Sequence, residues 1–458
     1  MKNADLQMQI APLRRHFEAG ATRSLSWRRA QLKALVAMSR EREGEIAAAL
    51  AEDLGKSAFE AYVSEIGFIA SHARHALKRL RRWARPRRRP VDLLNLPGRA
   101  WLQPEPRGVV LILAPWNYPW HLALSPLIGA LAAGNCAVLK PSEFAPATSA
   151  LLARLLPEYL DEAAVRVIEG DADVAQALLA EPFDLVFFTG STAVGRKVMQ
   201  AASAHLAPVV LELGGKSPTI VTRDADLAVA ARRIAWGKSV NAGQTCVAPD
   251  YLLVESAVAK PFLDALTTEF RRQLGKAPRN SRDYGRIVSR RHFDRLSAML
   301  GEGETPFGGQ TDAEALFIAP TLLRNLPADA AAMNEEIFGP ILPVIEVESI
   351  DAAIAHVRAG PKPLALYLFS KNRDTQRRVI AETSSGSVLI NDVMMQVSPP
   401  GLPFGGVGAS GMGTYHGAAS FDSFSHLKPV LRKWTWGDIA VRYPPYSARA
   451  RRWLRRLF

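Results

Sequence analysis

The sequence predicts an α/β fold with a doubly wound parallel sheet, and three observations lead to this prediction. From Gly108 onward, short apolar runs that suit strands alternate with stretches of helical periodicity. The chain has 458 residues, more than one domain usually holds, which indicates two or three units. Hydrophobic residues make up 48% and charged residues 22%, a composition that can bury a large core. Ligands of such sheets bind beyond the carboxyl ends of the strands, where we expect the informative residues.

The N-terminal part, from about residue 5 to residue 82, is predicted to be helical because its apolar residues recur at helical spacing. Its neighbouring histidines, His72 and His75, are expected on a solvated helix face rather than in a metal site. Pro86 and Pro90 then end the helical part.

Two α/β units follow the helices. The strands predicted in the first unit are GVVLILAP, NCAVLKP, VRVIEG, DLVFFTG and PVVLELGG. Those predicted in the second unit are YLLVES, LFIAPTLL, LPVIEVES, LALYLFS and GSVLIND. A turn at residues 335–340 interrupts the second unit, and the glycine-rich stretch LPFGGVGASGMGTYHG is predicted to form neither a helix nor a regular strand.

After the predicted strand DLVFF, the stretch TGSTAVGRKV opens a helix. Gly190 and Gly195 bracket its tight turn, and the bare amides there, with the Ser191 hydroxyl, would form a pyrophosphate site. The glycine spacing resembles a P-loop, but Arg196 and Lys197 stand where a P-loop has Lys and Ser or Thr. On this stretch alone, an ordinary strand–turn–helix is an equally good interpretation.

Polar side chains also follow other predicted strands. Lys140 and Glu143 follow NCAVL, where a cation and a carboxylate can bind the two hydroxyls of a ribose. Asn117, held between prolines after GVVLIL, could donate its amide hydrogens to a developing oxyanion. Glu212 ends the strand PVVLE, where apolar neighbours tend to raise a carboxyl pKa, as a general base requires. Taken singly, each residue could equally be a satisfied surface or turn residue.

The stretch NAGQTCVAPD holds Cys246, one of only two cysteines in the chain. Its small and turn-forming neighbours suit a loop that presents a side chain to a pocket. On this stretch alone, a buried structural thiol is the favoured interpretation, as it also is for Cys136 in the strand candidate NCAVLK. Two cysteines make no disulfide framework, so reduced thiols and a cytoplasmic location are expected.

The net charge of +13 comes largely from two basic runs, at residues 79–90 and 449–458. Solvated surface is the favoured interpretation, with an anionic membrane or nucleic acid as alternatives. The sequence carries no nucleic-acid-binding signature, so no nucleic-acid partner is expected. No window approaches the roughly 18 to 20 apolar residues of a membrane span.

Seven motifs stand in a fixed order along the chain: APWNYP, GNCAVLKPSE, FFTGSTAVG, LELGGKSP, GQTCVAP, EEIFGP and PFGGVGASG. With this combination the sequence resembles the aldehyde dehydrogenase family over most of the chain from Gly108 to about His426. The segments SGMGTYHGAASFDSFSH and DLGKSAFEAYVSEIGF resemble its class 3 branch, which includes fatty-aldehyde, aromatic-aldehyde and bacterial coniferyl-aldehyde enzymes.

The resemblance implies an NAD(P)-dependent oxidation of aldehydes to carboxylic acids. Cys246 would be the nucleophile, forming a thiohemiacetal and, after hydride transfer to the nicotinamide ring, a thioester. The Asn117 side chain and the Cys246 backbone amide would hold the oxyanion, and Glu212 would activate the hydrolytic water. No metal is implied.

The implied cofactor is NAD, with NADP as an alternative because the branch often accepts both. Glu143 favours NAD, since its carboxylate would repel a 2'-phosphate. The implied cofactor-binding residues are Lys140 and Glu143 at the adenosine ribose, Gly190, Ser191, Thr192 and Gly195 at the pyrophosphate, Glu336 at the nicotinamide ribose, Phe338 near that ring, and Trp116.

The family's architecture would place a Rossmann-type NAD(P)-binding domain with N-terminal helices in residues 1–84 and 104–211. A second α/β catalytic domain would span residues 212–392. Residues 85–103, a hairpin, and 393–458 would be oligomerisation elements. A homodimer is expected from the branch, with the basic run at 87–89 at or near the subunit contact.

The substrate stays open between fatty and aromatic aldehydes. Gln396 stands where class 3 enzymes often carry a histidine, in a segment expected to border the substrate entrance. The tail after Ser447 is predicted to form a short helix that touches anionic membranes weakly through its hydrophobic residues, Trp453, Leu454, Leu457 and Phe458.

Two other functions are compatible with the same motifs. A CoA-acylating dehydrogenase would pass the thioester to CoA and needs no water-activating carboxylate, so the presence of Glu212 favours hydrolysis. A catalytically silent binding or structural protein on this fold would have lost the nucleophile or the base, and this chain keeps both.

Overall fold

The structure of the protein, a computed structural model, describes residues 3–438 and 440–455, and it has the predicted α/β fold with parallel sheets. The α-helices are α1 Asn3–Glu18, α2 Leu25–Glu41, α3 Glu43–Leu54, α4 Ala58–Ala61, α5 Gly67–Trp83, α6 Pro119–Ala133, α7 Pro146–Tyr159, α8 Ala172–Leu179, α9 Thr192–Ser203, α10 Leu227–Ser239, α11 Ser256–Leu274, α12 Arg290–Met299, α13 Ala331–Asn334, α14 Ile350–Ala359, α15 Arg373–Glu382, α16 Gly417–Ser423 and α17 Ala448–Leu454.

The strands are β1 Arg87–Arg89, β2 Gly98–Pro106, β3 Val109–Leu113, β4 Cys136–Lys140, β5 Val165–Val167, β6 Leu185–Thr189, β7 Val209–Glu212, β8 Pro218–Val221, β9 Tyr251–Glu255, β10 Glu304–Phe307, β11 Thr311–Asp312, β12 Phe317–Ile318, β13 Thr321–Arg324, β14 Ile341–Val347, β15 Ala365–Phe369, β16 Ser387–Ile390, β17 Gly411–Met412 and β18 Ser425–Lys433.

The N-terminal helices α1 to α5 confirm the helical prediction for residues 5–82. Side-chain caps set their starts: Ser24 accepts a hydrogen bond from the Trp27 amide at α2, and Ser57 accepts one from the Glu60 amide at α4. A π-helical turn, Tyr62–Ile66, joins α4 directly to α5. This region packs against α6, whose residues are all buried, and so lies behind the loop that follows β3.

The first sheet has six strands in the order β17-β7-β6-β3-β4-β5. All five strands predicted for this unit are present and run in parallel, and the two-residue β17 adds an antiparallel edge from the glycine-rich stretch. Helices cover both faces, which explains why β3 and β4 are buried at every position.

The second sheet has seven strands in the order β10-β13-β14-β9-β8-β15-β16, parallel except for β10 at one edge. It contains four of the five strands predicted for the second unit, as β9, β14, β15 and β16. The fifth, LFIAPTLL, is divided at residues 319–320: β13 lies in this sheet, whereas β12 pairs with β11 in a separate two-stranded sheet. The second sheet also contains β8, which the sequence analysis missed although β8 lies at the centre between β9 and β15. The polypeptide crosses from the first sheet to the second through residues 213–217, between β7 and β8.

A third, antiparallel sheet has the order β1-β2-β18. Its first two strands form the hairpin predicted near residues 85–103, and Arg87 in β1 forms an ion pair with Asp422. The contact of this sheet with a second subunit stays a prediction. The predicted domain boundaries also stay predictions.

One prediction for the helical region is wrong: His72 does not lie on a solvated face. It is buried, and its ring stacks on Phe68 at a centroid distance of 4.0 Å, while the His121 ring packs on Phe68 at 3.9 Å with a tilt of 35°. His416 meets the His72 ring edge-on at 5.1 Å. The α5 face that carries His72 is covered by α6 and by residues near α16, so solvent does not reach it.

The tail after Ser447 forms the predicted helix, α17. The side chains of Trp453 and Leu454, and residues 457 and 458, lie outside the part of the chain that the structure describes. The predicted membrane contact therefore stays a prediction. Among the described residues, no helix is both long enough and apolar enough to cross a bilayer.

Candidate active site

The carboxyl ends of β3, β6 and β7 bring predicted site residues to one edge of the first sheet. Asn117 follows β3, Ser191 follows β6, and Glu212 is the last residue of β7. Glu212 is paired in register with Thr189 on one side and with Gly411 of β17 on the other. The adjacent parallel strands thus place a carboxamide, a helix start and a carboxylate on the same edge.

The Cys246 loop reaches this edge through strained backbone. After α10, the turn Val240–Gly243 holds Asn241 and Ala242 at φ of 51°, in the left-handed region that costs non-glycine residues energy. Gly243 is needed here, because a Cβ on it would lie 2.3 Å from the carbonyl oxygen of Gly339. Strain of this kind persists only where the surroundings impose the conformation.

The surroundings impose it through buried amides. Gln244 donates from Nε2 to the Asn241 and Arg286 carbonyls at 3.0 and 2.8 Å, and its Oε1 accepts from the Val288 amide at 3.0 Å. Buried Lys238 donates from Nζ to the Pro249 carbonyl at 2.8 Å on the other side of the loop. The loop that carries Cys246 is therefore anchored on both sides of the cysteine.

Asn117 is buried beside this loop. Its Nδ2 donates to the Gln244 carbonyl at 3.1 Å, two residues before Cys246. A carboxamide nitrogen carries two hydrogens, so the second remains available to a ligand. The next residue, Tyr118, bonds through its hydroxyl to Thr245 Oγ1 at 2.8 Å. The β3 loop and the nucleophile loop are thereby joined at two points.

The Cys246 thiol is half-buried, and desolvation raises its pKa to about 12, with the carboxyls of Glu336 and Glu212 adding to the rise. Cys246 is therefore a thiol at neutral pH when no positive charge is near. Both carboxyls act on the sulfur through space, and Glu212 ends β7 at the sheet edge that the Cys246 loop reaches.

Glu212 is 2% exposed, and neither of its carboxylate oxygens has a hydrogen-bond partner among the described residues. Burial raises its pKa well above the ordinary value. A buried carboxyl without partners is costly for stability and typical of a group kept for chemistry.

The predicted pyrophosphate site has the expected local geometry. Ser191 caps α9, its hydroxyl accepting from the Val194 amide at 3.4 Å, and Thr192 donates to the Ala409 carbonyl at 3.0 Å. Close packing restricts both glycines, since a Cβ on Gly190 would lie 2.5 Å from the Phe188 ring and one on Gly195 2.5 Å from Leu213. The α9 amino end can therefore receive phosphate oxygens on bare backbone.

The two predicted ribose sites differ in their present partners. Lys140 Nζ donates to Glu143 at 2.8 Å, so the pair is preformed at the end of β4. Glu336 is half-buried, its Oε1 is buried without a partner among the described residues, and desolvation together with Asp250 raises its pKa to about 8. An orphaned carboxyl oxygen here fits the hydroxyls of a nicotinamide ribose. The remaining predicted contacts, Trp116 and Phe338, meet edge-on at 5.3 Å.

The residues present therefore fit a dinucleotide: a preformed cation–carboxylate pair, a bare helix start and an orphaned carboxyl. Among the described residues, no group of three or more histidines, cysteines and carboxylates is placed to hold a metal ion. The structure thus brings all the predicted site residues into two neighbouring regions, one around Cys246 and one along the carboxyl edge of the first sheet.

The segment around Gln396 is expected to border the substrate entrance, but the Gln396 side chain itself lies inside the protein. Gln396 is buried and donates from Nε2 to the Tyr367 hydroxyl at 3.1 Å, and Tyr367 in turn donates to the Val247 carbonyl with a distance of 2.5 Å. Its amide supports the nucleophile loop from behind. It is exposed Met395, next to it, that faces outward.

The sequence analysis missed several residues that hold the site. Lys216 forms an ion pair with Asp250 and donates to the Ala332 and Glu335 carbonyls at 2.8 and 2.9 Å. Asp250 also accepts from the Ile337 amide at 2.9 Å, so it ties the nucleophile loop to the loop that carries Glu336. The signal that could have found them was position: Lys216 lies in the motif LELGGKSP, and Asp250 ends the Cys246 stretch NAGQTCVAPD.

Comparison with known proteins shows the family of the chain. A sequence model of the aldehyde dehydrogenase family matches residues 1–430. The chain belongs to the aldehyde dehydrogenase family. It is 48% identical to aldehyde dehydrogenase family 3 member H1 of Arabidopsis thaliana, over 97% of this chain and 93% of that protein.

A second relative of this aldehyde dehydrogenase is the 4,4'-diaponeurosporen-aldehyde dehydrogenase of Staphylococcus aureus, 46% identical over 94% of this chain and 95% of that protein. Among solved structures, the substrate-bound Staphylococcus aureus AldH superposes with a TM-score of 0.96 at 44% identity, covering 99% of each chain. The protein is therefore an oxidoreductase, and its cofactor is NAD or NADP, as in related enzymes.

Proposed function

We propose that this aldehyde dehydrogenase oxidises hydrophobic aldehydes to carboxylic acids through Cys246. The Cys246 thiol gives up its proton to solvent water as the sulfur bonds to the aldehyde carbon, and the carbonyl oxygen becomes an oxyanion held by Asn117 Nδ2 and the Cys246 backbone amide. Bound NAD or NADP supplies the hydride acceptor. Loss of hydride from the former aldehyde carbon leaves a thioester on Cys246.

Glu212 then takes a proton from water as the water oxygen bonds to the thioester carbon. The carbon–sulfur bond breaks, the acid leaves, and the sulfur takes up the proton that Glu212 had accepted, which returns Glu212 to its ionised form. The single observation that carries this proposal is the buried carboxyl of Glu212, which has no hydrogen-bond partner among the described residues and ends β7 at the sheet edge that the Cys246 loop reaches. It favours hydrolysis over transfer of the acyl group to CoA.

The substrate class is proposed from an open pocket of about 740 Å³ beside the turn that precedes Cys246. Its apolar lining includes Phe59, Val63 and Trp236, which are exposed at 79%, 55% and 39%. Solvent-exposed apolar side chains around one pocket fit a long or aromatic aldehyde tail.

The charges beside this pocket favour an uncharged tail. Three arginines line it, but each is paired within the protein, Arg232 and Arg272 with Glu269, and Arg233 with Asp392. None of these three arginines is therefore without a carboxylate partner that an anionic substrate could replace. The relative named for diaponeurosporen-aldehyde is consistent with a long, neutral aldehyde.

Further parts of the proposal concern the protein's surroundings. We propose a homodimer that uses the β1-β2-β18 sheet, a cytoplasmic location that keeps both thiols reduced, and weak attraction of the basic tail to anionic lipid. Liposome co-sedimentation that is equal for the full chain and for a chain cut after Tyr446 would contradict the lipid contact.

The test is formation of reduced nicotinamide by the purified enzyme with NAD and no CoA, given decanal and coniferaldehyde in parallel. We expect turnover that disappears in Cys246→Ala and persists in the matched control Cys136→Ala, since Cys136 is buried in β4. Acid formation that required added CoA would overturn the hydrolytic route. The ratio of the two rates identifies the substrate branch.

The pocket has its own test. Trp236→Ala is expected to raise KM for decanal about tenfold, the effect of losing one large apolar contact, and to leave KM for acetaldehyde unchanged. Ile380→Ala, which removes an exposed apolar side chain on α15 outside this pocket, is the control. Equal changes in KM for decanal and acetaldehyde would show that the aldehyde tail does not bind in this pocket.

A further inference from the structure

A buried ion pair lies directly behind the loop that carries Asn117. Lys56, from the segment between α3 and α4, forms an ion pair with Glu65 of the π-helical turn, and both side chains are completely buried. The free energy of desolvating two charges at such a depth largely cancels their attraction, so the pair contributes little net stability. Stability therefore does not explain why this ion pair is present, and its hydrogen bonds to neighbouring loops indicate another role.

Lys56 has further partners on the Asn117 loop. Its Nζ donates to the Asn117 carbonyl oxygen at 2.9 Å and lies 3.9 Å from the centre of the Tyr118 ring. The same carbonyl oxygen accepts from Asn241 Nδ2 at 2.8 Å. The peptide that orients the Asn117 side chain is thus held by an ammonium group from one side and by the nucleophile turn from the other.

Glu65 holds the next part of the loop. Its Oε2 accepts from the Trp120 and His121 amides, at 2.9 and 3.1 Å, in the first turn of α6. A carboxylate at a helix start satisfies free amides and is favoured by the helix dipole. Lys56 and Glu65 together thereby fix the backbone on both sides of Tyr118.

We propose that Lys56 and Glu65 are positioning residues for the reaction, which aim the Asn117 carboxamide at the oxyanion. They touch neither the nucleophile nor the reacting atoms. Their effect passes through the Asn117 peptide, whose side chain must lie within a fraction of an ångström of its working position. The proposal rests on the oxyanion role proposed for Asn117.

The proposal predicts a loss in turnover for a variant that keeps the fold intact. Lys56→Met alone leaves a buried, unpaired Glu65, so the double variant Lys56→Met/Glu65→Leu is the cleaner test, because it leaves no unpaired charge. We expect its kcat to fall about 10- to 100-fold, part of the effect of losing an oxyanion donor, with a smaller change in KM. The affinity for NAD and the rate of Cys246 alkylation by iodoacetamide are expected to stay unchanged.

Glu65→Gln separates the two partners. Its amide oxygen can still accept from the α6 amides, but its NH₂ group would face the Lys56 ammonium. We expect kcat and the melting temperature to fall together, because the buried Lys56 ammonium loses its counter-charge. The matched control is Arg28→Met at the other end of α6, where buried Arg28 donates to the Ala132 carbonyl. Arg28→Met is expected to lower the melting temperature and to leave kcat unchanged.

A double-mutant cycle decides the matter. If the pair acts through Asn117, adding Lys56→Met/Glu65→Leu to Asn117→Ala causes little further loss in kcat. Additive losses, or a Lys56→Met/Glu65→Leu enzyme with normal kcat, would overturn the positioning role while leaving the proposed reaction standing. Full activity of Asn117→Ala itself would instead overturn the oxyanion assignment, and the positioning role with it.

Discussion

The Glu336 carboxylate occupies the space that a side chain on residue 214 would need. A Cβ built on Gly214 would lie 1.9 Å from Glu336 Oε2 and 2.5 Å from its carboxyl carbon. Gly214 belongs to the crossover between the two parallel sheets, and Glu336 belongs to the loop after α13. A glycine in the crossover is thus what allows the carboxyl proposed for the nicotinamide ribose to reach its position.

This contact predicts that Gly214→Ala weakens cofactor binding, because the new methyl group displaces the Glu336 side chain. We expect the Kd for NAD, measured by quenching of tryptophan fluorescence, to rise about tenfold, as for the loss of one charge-assisted hydrogen bond. Gly44→Ala is the control, since a Cβ there meets no atom within 4 Å. Unchanged NAD affinity in Gly214→Ala would show that Glu336 does not contact the cofactor.

Glu212→Gln separates acylation from hydrolysis. The amide keeps the size of the carboxyl but cannot accept a proton from water, so the thioester should accumulate. We expect a burst of about one reduced cofactor per active site, followed by turnover reduced by a factor of about 10² to 10⁴. Absence of a burst, with the steady rate equally low, would place Glu212 before the thioester instead of after it.

The same residue sets a pH dependence. Burial raises the pKa of Glu212, and only the ionised carboxyl can act as a base. The rate of thioester hydrolysis is therefore expected to rise with pH through a midpoint well above 4.5, the ordinary value for a glutamate. Single-turnover decay of the acyl-enzyme measured from pH 5 to pH 9 checks this. A rate already constant at pH 5 would contradict it.

The histidine cluster predicts an acid-sensitive fold. Burial lowers the pKa of His72 to about 4 and of His121 to about 3, so both rings are neutral in the folded protein at pH 7. The unfolded chain binds these protons near pH 6.5, the ordinary value. Stability is therefore complete above about pH 6.5 and is lost as the pH falls towards 4.

His72→Phe tests this cluster, because it preserves the ring stacked on Phe68 and removes one proton-binding site. We expect the variant to lose about 2 kcal/mol less stability than the wild type between pH 8 and pH 5, measured by urea unfolding. His426→Phe, at an exposed position on β18, is the control. Equal losses in His72→Phe and the wild type would mean that the ring titrates normally.

The sequence predicted those parts of the fold whose signals are local. Strands such as 185–189 are apolar at nearly every position, and the Ser191 cap follows directly from strand, turn and helix start. Strand β8, Pro218–Val221, was missed because its four residues follow a Gly-Gly-Lys turn and lack the length of a strand signal. Its position comes from pairing with β9 and β15, which are distant in sequence.

The supporting residues were missed for a similar reason. A lysine and a glutamate in a polar helical segment, such as Lys56 and Glu65, are normally solvated. Their burial depends on α6, more than 50 residues later, which packs on that segment. His72 likewise became buried through residues near 400 and 416. Contacts between distant segments decide burial, and no local pattern reports them.

The reactivity of the two thiols gives a last prediction. Desolvation raises the pKa of both Cys246 and Cys136 to about 12, so thiolate is scarce at pH 7 in either residue. Cys246 is half-buried, whereas Cys136 is wholly buried in β4, and only the former can meet a reagent without unfolding. In the absence of cofactor, alkylation by iodoacetamide is therefore expected to be confined to Cys246, and its rate to keep rising through pH 9 and pH 10.

Mass spectrometry of the modified peptide locates the alkylated cysteine, and the rate of modification is measured at each pH. The control is Cys136→Ala, which should alkylate at the same rate. A rate that levels off near pH 8 would mean that the resting thiol is already activated, and the coupling to Glu212 and Glu336 would then not govern it.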